Sequence, residues 1–238
     1  MILLALLAAT ASAQSCADEI KANPVQAVEK ANAWHSAGGG ALARQCAALA
    51  YAAQDRWTEA AEAFEQAARE AEKAKEAAAA NLWVQAGNAR LAAGEPRPAI
   101  AALDAALVTG MLNGIAKGEA RVDRARANVA AGDLAAARTD LDEALKLVPK
   151  DPLAWLLSAS LARRMGQQER AQVDIAEAAK LSPDDASVAL EAGRIALAAG
   201  APAAARVAWE GAIKNQPGSE AARAAQAELD RLAKPSQR

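Results

Sequence analysis

The chain has 238 residues, a formal net charge of -2 and a sequence pI near 5.6. That balance gives no general attraction to nucleic acid, and no Lys/Arg-rich run with interleaved aromatics appears. Hydrophobic residues make up 53%, enough for a folded core and against wholesale disorder. Ala, Leu, Glu, Arg and Gln dominate while β-branched and aromatic residues are few, the composition of an all-α chain.

The chain opens MILLALLAATASA. An apolar run from Ile2 to Ala9 precedes Ala11-Ser12-Ala13, the small-x-small pattern that signal peptidase accepts. The run is far short of the ~20 residues that span a bilayer. A signal peptide over 1–13 is therefore expected, cleaved after Ala13, with a periplasmic or secreted location for the mature chain. No Lys or Arg forms the usual positive start and the segment is short, so the true start codon is expected upstream. Cys16 follows an apolar run as a lipid-anchor cysteine does, but Gln14-Ser15 stand where small or apolar residues are wanted. With lipidation as the alternative, a disulfide from Cys16 to Cys46 is the better use of two cysteines in an exported chain. Closing such a loop stabilises by about 3–4 kcal/mol on the chain-entropy model.

Within an N-terminal segment over 14–40, Pro24 to Trp34 reads as one amphipathic helix closed by Gly38-Gly39-Gly40. Beyond it a repeat decides the fold. Gly132, Gly166 and Gly200 lie 34 residues apart, as do Ala137, Ala171 and Ala205, then Leu141, Ile175 and Trp209, then Ala144, Ala178 and Ala212. Pro149, Pro183 and Pro217 keep the interval, and so do Asp151, Asp185 and Ser219. Each column has a physical role. The glycine ends a helix in the left-handed conformation. The alanines permit close approach of the neighbouring helix beside a bulky core residue. The proline stops the helix, and Asp or Ser then caps the next one. Pro152 follows Asp151 at a first helical position, where its missing N–H costs nothing.

These columns resemble the tetratricopeptide-repeat family. Trp83-Val-Gln-Ala86-Gly87 matches the opening of that family's pattern, Trp155 with Ala159 matches it more weakly, and Tyr51, Ala60, Phe64 and Ala67 carry an earlier copy. Gly193 supplies the small crossing residue of the last copy. The resemblance implies an all-α fold, a right-handed superhelix of antiparallel helix pairs. Two spaced repeats are expected over 41–113, as pairs 41–74 and 80–113. Three contiguous ones are expected over 118–219, as pairs 118–151, 152–185 and 186–219. Glu220 to Leu232 reads as a capping helix within 220–238, with the residues from Lys234 expected to fray. Extra residues separate the second and third copies around Asn113–Lys117, where Gly110, Gly114 and Gly118 lie four apart and a loosened junction is expected.

Little here supports catalysis. The lone His35 precedes three glycines, where a cation favours the helix C-terminus. No second His or further Cys exists to build a metal cluster, and no Gly-x-Ser-x-Gly elbow presents a nucleophile. Gly38-Gly39-Gly40 lacks the Lys-Ser/Thr of a phosphate loop and reads as a turn. The tryptophans are expected to fill repeat packing positions. Asp184-Asp185 is expected to cap a helix, and Asp140 with Asp142 to sit on a solvated helix face. No enzyme, cofactor or metal is expected.

In the family, ligands meet the first helix of each pair along the concave face. Aligning the copies places Asn81, Val84 and Asn88 there, then Glu119, Val122 and Arg126, then Leu156, Ser160 and Arg163, and then Leu190, Arg194 and Leu197. Arg126, Arg163 and Arg194 would form a row suited to a carboxylate or acidic peptide, unless they pair with Glu119, Asp123, Asp174 or Glu191 of neighbouring helices. The family's clamp for acidic chaperone tails is absent, since its places hold Gln45 and Leu49, then Glu119 and Asp123. With the expected signal peptide, the resemblance implies a non-catalytic scaffold of the cell envelope that holds an extended or acidic protein segment, with no nucleic acid and no transmembrane span. The alternative is a permanent subunit or assembly factor of an envelope complex.

Overall fold

The computed structural model describes residues 15–233, so the expected signal segment and the tail from Lys234 lie outside them. Among the described residues the regular elements are all helical. They run α1 (15–22), α2 (Pro24–Trp34), a wide turn at His35–Gly39, α3 (Gly40–Ala52), α4 (Trp57–Lys73), α5 (Ala79–Ala92), α6 (Pro96–Val108) and α7 (Gly114–Ala131). Then follow α8 (Leu134–Leu147), α9 (Pro152–Arg164), α10 (Gln168–Leu181), α11 (Ala186–Ala198), α12 (Pro202–Asn215) and α13 (Glu220–Ala233). Contacts divide the chain into one compact unit through Gly132 and a second from Asp133. The all-α fold of helix pairs joined by short turns is the one the repeat columns imply.

In the first unit, alanine sets the spacing of the helices. Ala60, Ala61, Ala67, Ala68 and Ala71 of α4 are wholly buried, as are Ala48 of α3 and Ala86 of α5. Side chains this small let helices approach closely, so few large residues are needed to fill the gaps. Phe64, Leu82 and Trp83 fill what remains. Gly87 marks the tightest crossing: a Cβ there would meet Leu103 Cγ at 2.6 Å. At the start of the unit the side chain of Asn23 accepts from Gln26 N at 3.1 Å and caps α2, with Pro24 next to it at a first helical position. Cys16 and Cys46 form a disulfide, which fastens α1 to α3 beside Ala31 and Ala47.

The turn between α6 and α7 departs from a plain spacer. Gly110 and Gly114 adopt φ of +68° and +49°, and Thr109 ties the turn by donating to Ala106 O at 2.7 Å and accepting from Met111 N at 3.2 Å. Helix α7 begins at Gly114, so Gly118 lies buried inside it rather than at its start.

The second unit carries the columns in register. Gly166 and Gly200 hold φ of +72° and +76°, the left-handed conformation that closes a helix and that only glycine adopts without strain. Asp151 accepts from Leu153 N at 2.9 Å and Asp185 from Ser187 N at 2.6 Å, while Ser219 Oγ accepts from Ala222 N at 3.1 Å. Ala171, Ala178, Ala205 and Ala212 are wholly buried, with Ile175 and Trp209 filling the core between them. Gly193 lets α11 lie directly against the Trp209 indole. Helix α13 lays Ala225, Leu229 and Leu232 on the cluster around Trp209.

One expectation is corrected here. Asp140 and Asp142 do not share a solvated face: Asp140 is buried, and Asp142 belongs to a polar cluster joining α8, α9 and α10. Arg138 Nη2 donates to Ser158 Oγ at 2.9 Å, Ser158 donates in turn to Asp174, and Arg170 bridges Asp142 and Asp174. Burial and the neighbouring charge of Arg170 pull the Arg138 pKa down, against the opposing pull of Asp142. Sequence position cannot reveal such acids, because the partners that make burial tolerable come from other helices.

Candidate binding site

In the first unit, α3, α5 and α7 present side chains to one open cavity of about 590 Å³, floored by α4. Its apolar wall is Leu49 and Ala52 of α3, Trp57 and Phe64 of α4, and Ala89 and Ala92 of α5. Leu49 and Leu42 lie seven residues apart on α3 and are 42% and 39% exposed. That spacing puts both on one face, and nothing within the unit covers them. Trp57, which the repeat reading assigns to core packing, instead forms part of this wall.

A ladder of polar groups follows the same face. Gln45 Nε2 donates to Gln85 Oε1 at 3.3 Å, and Gln85 Nε2 lies 3.4 Å from the carbonyl of Asn81. Asn88 Nδ2 donates to Asp123 Oδ2 at 2.8 Å, and the other Asp123 oxygen accepts from Arg126 at 3.1 Å. Both oxygens of Asp123 are thereby used, while the Arg126 side chain stays 48% exposed at the cavity. Asn88 Oδ1 is shielded from solvent and has no hydrogen-bond partner, an arrangement that costs free energy unless a donor reaches it.

Of the residues expected on the concave face, Asn88 and Arg126 line the cavity, and Asn81 is exposed at the start of the same helix. Val122 and Leu190 do not line a groove. Val122 is buried, and Leu190 is buried with Trp209 and Ala205, because these positions face the adjoining helix rather than the open side. In the second unit Arg163 and Arg194 converge on the buried Glu191, Arg163 at 2.6 Å and Arg194 at 3.6 Å, and Arg194 also reaches Glu228 at 3.4 Å. Each of the three arginines therefore faces a carboxylate of its own unit. Sequence reasoning overlooked Leu49, Trp57 and Gln85; the seven-residue spacing of Leu42 and Leu49 was the available signal.

His35 is engaged elsewhere. Its Nε2 lies 3.1 Å from Glu70 Oε1, which also accepts from Arg44. Burial alone would raise the Glu70 pKa, but the hydrogen bonds from Arg44 and His35 outweigh it and hold the carboxyl below its usual value. Among the described residues no group of three or more His, Cys, Asp or Glu is placed to hold a metal ion, and no helix is long and apolar enough to cross a membrane. A smaller cavity of about 270 Å³ adjoins the disulfide, between Cys16, Lys30 and Trp34.

Residues 118–161 and 156–220 match models of the tetratricopeptide repeat, so the repeats of this stretch are of that type. Comparison by sequence finds no match among curated proteins. In structure the chain is similar to PilW, a type IV pilus biogenesis factor, with a TM-score of 0.72 and 22% identity over 93% of this chain and 98% of that one. It is similar to PilF of Pseudomonas aeruginosa at a TM-score of 0.71 and 18% identity, covering 93% and 97% of the two chains. YrrB, a TPR protein with an unusual peptide-binding site, matches at 0.59 and 19% identity over 82% of this chain and 96% of its own. At these identities the likeness is one of fold.

Proposed function

We propose that the chain is a non-catalytic protein-interaction scaffold of the cell envelope, and that it holds an extended segment of a partner protein against α3, α5 and α7. The observation that carries this reading is the open face of the first unit, where exposed Leu42 and Leu49 adjoin the Gln45, Gln85, Asn88 and Arg126 ladder. An apolar wall with a few placed polar groups is what a recognition site requires. The compartment is supported by the signal-like start of the sequence and by the Cys16–Cys46 disulfide, since such bonds persist in oxidising compartments. An acidic partner shares the half-exposed Arg126 with Asp123, and at Arg163 and Arg194 it competes with Glu191 and Glu228.

The test is site-specific photo-cross-linking in cells, with the probe at Leu49 and a control probe at Val207, exposed on α12. One defined partner captured at Leu49 and not at Val207, from protein whose mature N-terminus is Gln14 and which fractionates with the envelope, supports the reading. Equal capture at both places, or retention of Met1 in the cytoplasm, overturns it.

A permanently held subunit is the second reading. The turn between α6 and α7 exposes Val108 by 85%, Met111 by 46% and Ile115 by 66%, and apolar groups gathered this way on a surface mark an interaction site. Capture at Ile115 in every molecule, in a complex that survives purification, selects this reading over the first.

A further inference from the structure

We infer that the cavity of the first unit selects one chemical pattern: a bulky apolar side chain with an acidic residue two positions further on in an extended polypeptide, the spacing that puts both on one face. The inference rests on the reading that this face holds a partner segment, and it names what that segment must contain.

The apolar half follows from the wall. Leu49, Trp57, Phe64, Ala52, Ala89 and Ala92 enclose about 590 Å³, within the roughly 300–1,000 Å³ of pockets that bury a ligand group. The enclosure is floored by the aromatic ring of Phe64, itself buried, so its depth is fixed by the core.

The acidic half follows from how the polar rim is already used. Gln85 is held by Gln45 and by the carbonyl of Asn81. Asp123 has spent both oxygens, one on Asn88 and one on Arg126. What remains is the rest of the Arg126 guanidinium, which spends only Nη1 on Asp123 and whose side chain is 48% exposed, and the Asn88 Oδ1 acceptor without a partner. A guanidinium fork matches a carboxylate, and an orphan acceptor takes a backbone N–H. One stretch of acidic polypeptide provides both groups, whereas phosphate or a free fatty acid provides no N–H. The pairing of Arg126 with Asp123 also aligns the fork at the cavity, so the carboxylate is met beside the apolar pocket rather than at a distance.

The experiment uses the full oxidised chain and an array of Gly/Ser heptapeptides varied at two central positions separated by one residue. Signal concentrated in peptides with Leu, Ile, Phe or Met and, two positions later, Asp or Glu is expected. The best peptide is then titrated calorimetrically against Arg126→Met, Leu49→Ser and Val207→Ser chains whose circular dichroism is unchanged. Arg126→Met should weaken binding at least tenfold and erase the preference for Asp over Asn. Leu49→Ser should weaken it similarly, and Val207→Ser should leave it as it was. Peptides that bind with no preference at either position overturn the inference while leaving a segment-binding scaffold. So does capture of a partner at Leu49 when no array peptide binds. Octanoate binding as tightly as the best peptide overturns it in favour of a fatty acid, and failure of both array and cross-link removes the inference together with the reading beneath it.

Discussion

The Trp209 indole covers Gly193 so closely that a Cβ on the glycine would overlap Nε1 and Cδ1 and stand 2.7 Å from Cε2. The indole is also held onto that same helix, since Nε1 donates to Leu190 O, one turn before Gly193, at 3.1 Å. It cannot retreat without giving up that bond. Helix propensity favours Ala over Gly by about 1 kcal/mol, but overpacking against a fixed ring costs about 1–3 kcal/mol and the lost bond adds about 1 kcal/mol. Gly193→Ala is therefore expected to destabilise the second unit by about 1–3 kcal/mol in urea unfolding. Gly87→Ala meets Leu103 Cγ at 2.6 Å in a wholly buried side chain, and is expected to cost less only because no hydrogen bond is lost with it. A Gly193→Ala chain more stable than the parent would show that the crossing has slack.

The disulfide predicts a local effect. Cys16 and Cys46 lie 30 residues apart, a loop whose closure contributes about 3–4 kcal/mol on the chain-entropy model. Reduction, or Cys16→Ala, should speed amide exchange first in α1 and α2, which pack on α3 around Ile20, Ala31 and Tyr51. Exchange in α5 and α6 should change little. Uniform acceleration through the first unit would mean that the bond supports the whole unit rather than its edge.

The Glu70 carboxyl gives a pH prediction. Its pKa in the folded chain lies below the ordinary value of 4.5 because Arg44 and His35 bind the ionised form. A depressed folded pKa contributes stability that is complete above the unfolded pKa and is lost as pH falls through the folded one. The contribution should thus fade below about pH 4.5 and be absent at the acid end. Glu70→Gln is expected to lower the thermal midpoint at pH 7 and to flatten its fall between pH 4.5 and pH 2. A parallel acid limb in both chains would contradict the role.

Arg163 tests the polar packing of the second unit. Glu191 is buried, and Arg163 supplies its short contact. Removing one partner of a buried pair leaves the other charge uncompensated, at about 3–5 kcal/mol when both are deeply buried. Arg163 is partly exposed and Arg194 remains at 3.6 Å, so Arg163→Ala is expected to cost about 1–3 kcal/mol, with Arg163→Ala/Glu191→Gln milder. Arg126→Ala, half-exposed and beside a partly solvated Asp123, should fall within about 0.5 kcal/mol of the parent, as exposed ion pairs do. A binding defect from joint replacement of Arg126, Arg163 and Arg194 therefore has to be separated from a folding defect.

What the sequence revealed and what it hid divide along a physical line. Gly166, Gly200, Asp151, Asp185 and Pro152 were legible because left-handed backbone, capping and a missing donor are properties of one residue and its immediate neighbours. The buried alanines were legible through their shared interval. Asn88 and Arg126 were placed on the open face by that same register, yet Val122 and Leu190, on the same argument, are core. Which flank of a first helix meets solvent depends on its crossing with the next, and a 34-residue interval does not encode that angle. Asp140 misled for a related reason, which also hid the burial of Arg138 and Glu191. Charge is read as solvent-facing until the helix carrying the counter-charge is known.

The cluster around Ser158 bears on how such an array can change. Arg138, Ser158 and Asp174 sit on three consecutive helices, and each satisfies the next. Arrays of near-identical units grow and shrink by duplication because every joint resembles every other. Here a copy inserted after α8 or α9 would part the arginine from the hydroxyl, or the hydroxyl from the acid, and strand ionic groups in a dry joint. The neighbouring joint between α11 and α12 is closed by Trp209 on Gly193 instead, so a shuffled helix would find no matching surface. Gene rearrangements that preserve the 34-residue count would still fail between α8 and α10, where the joint rather than the period decides what can be inserted.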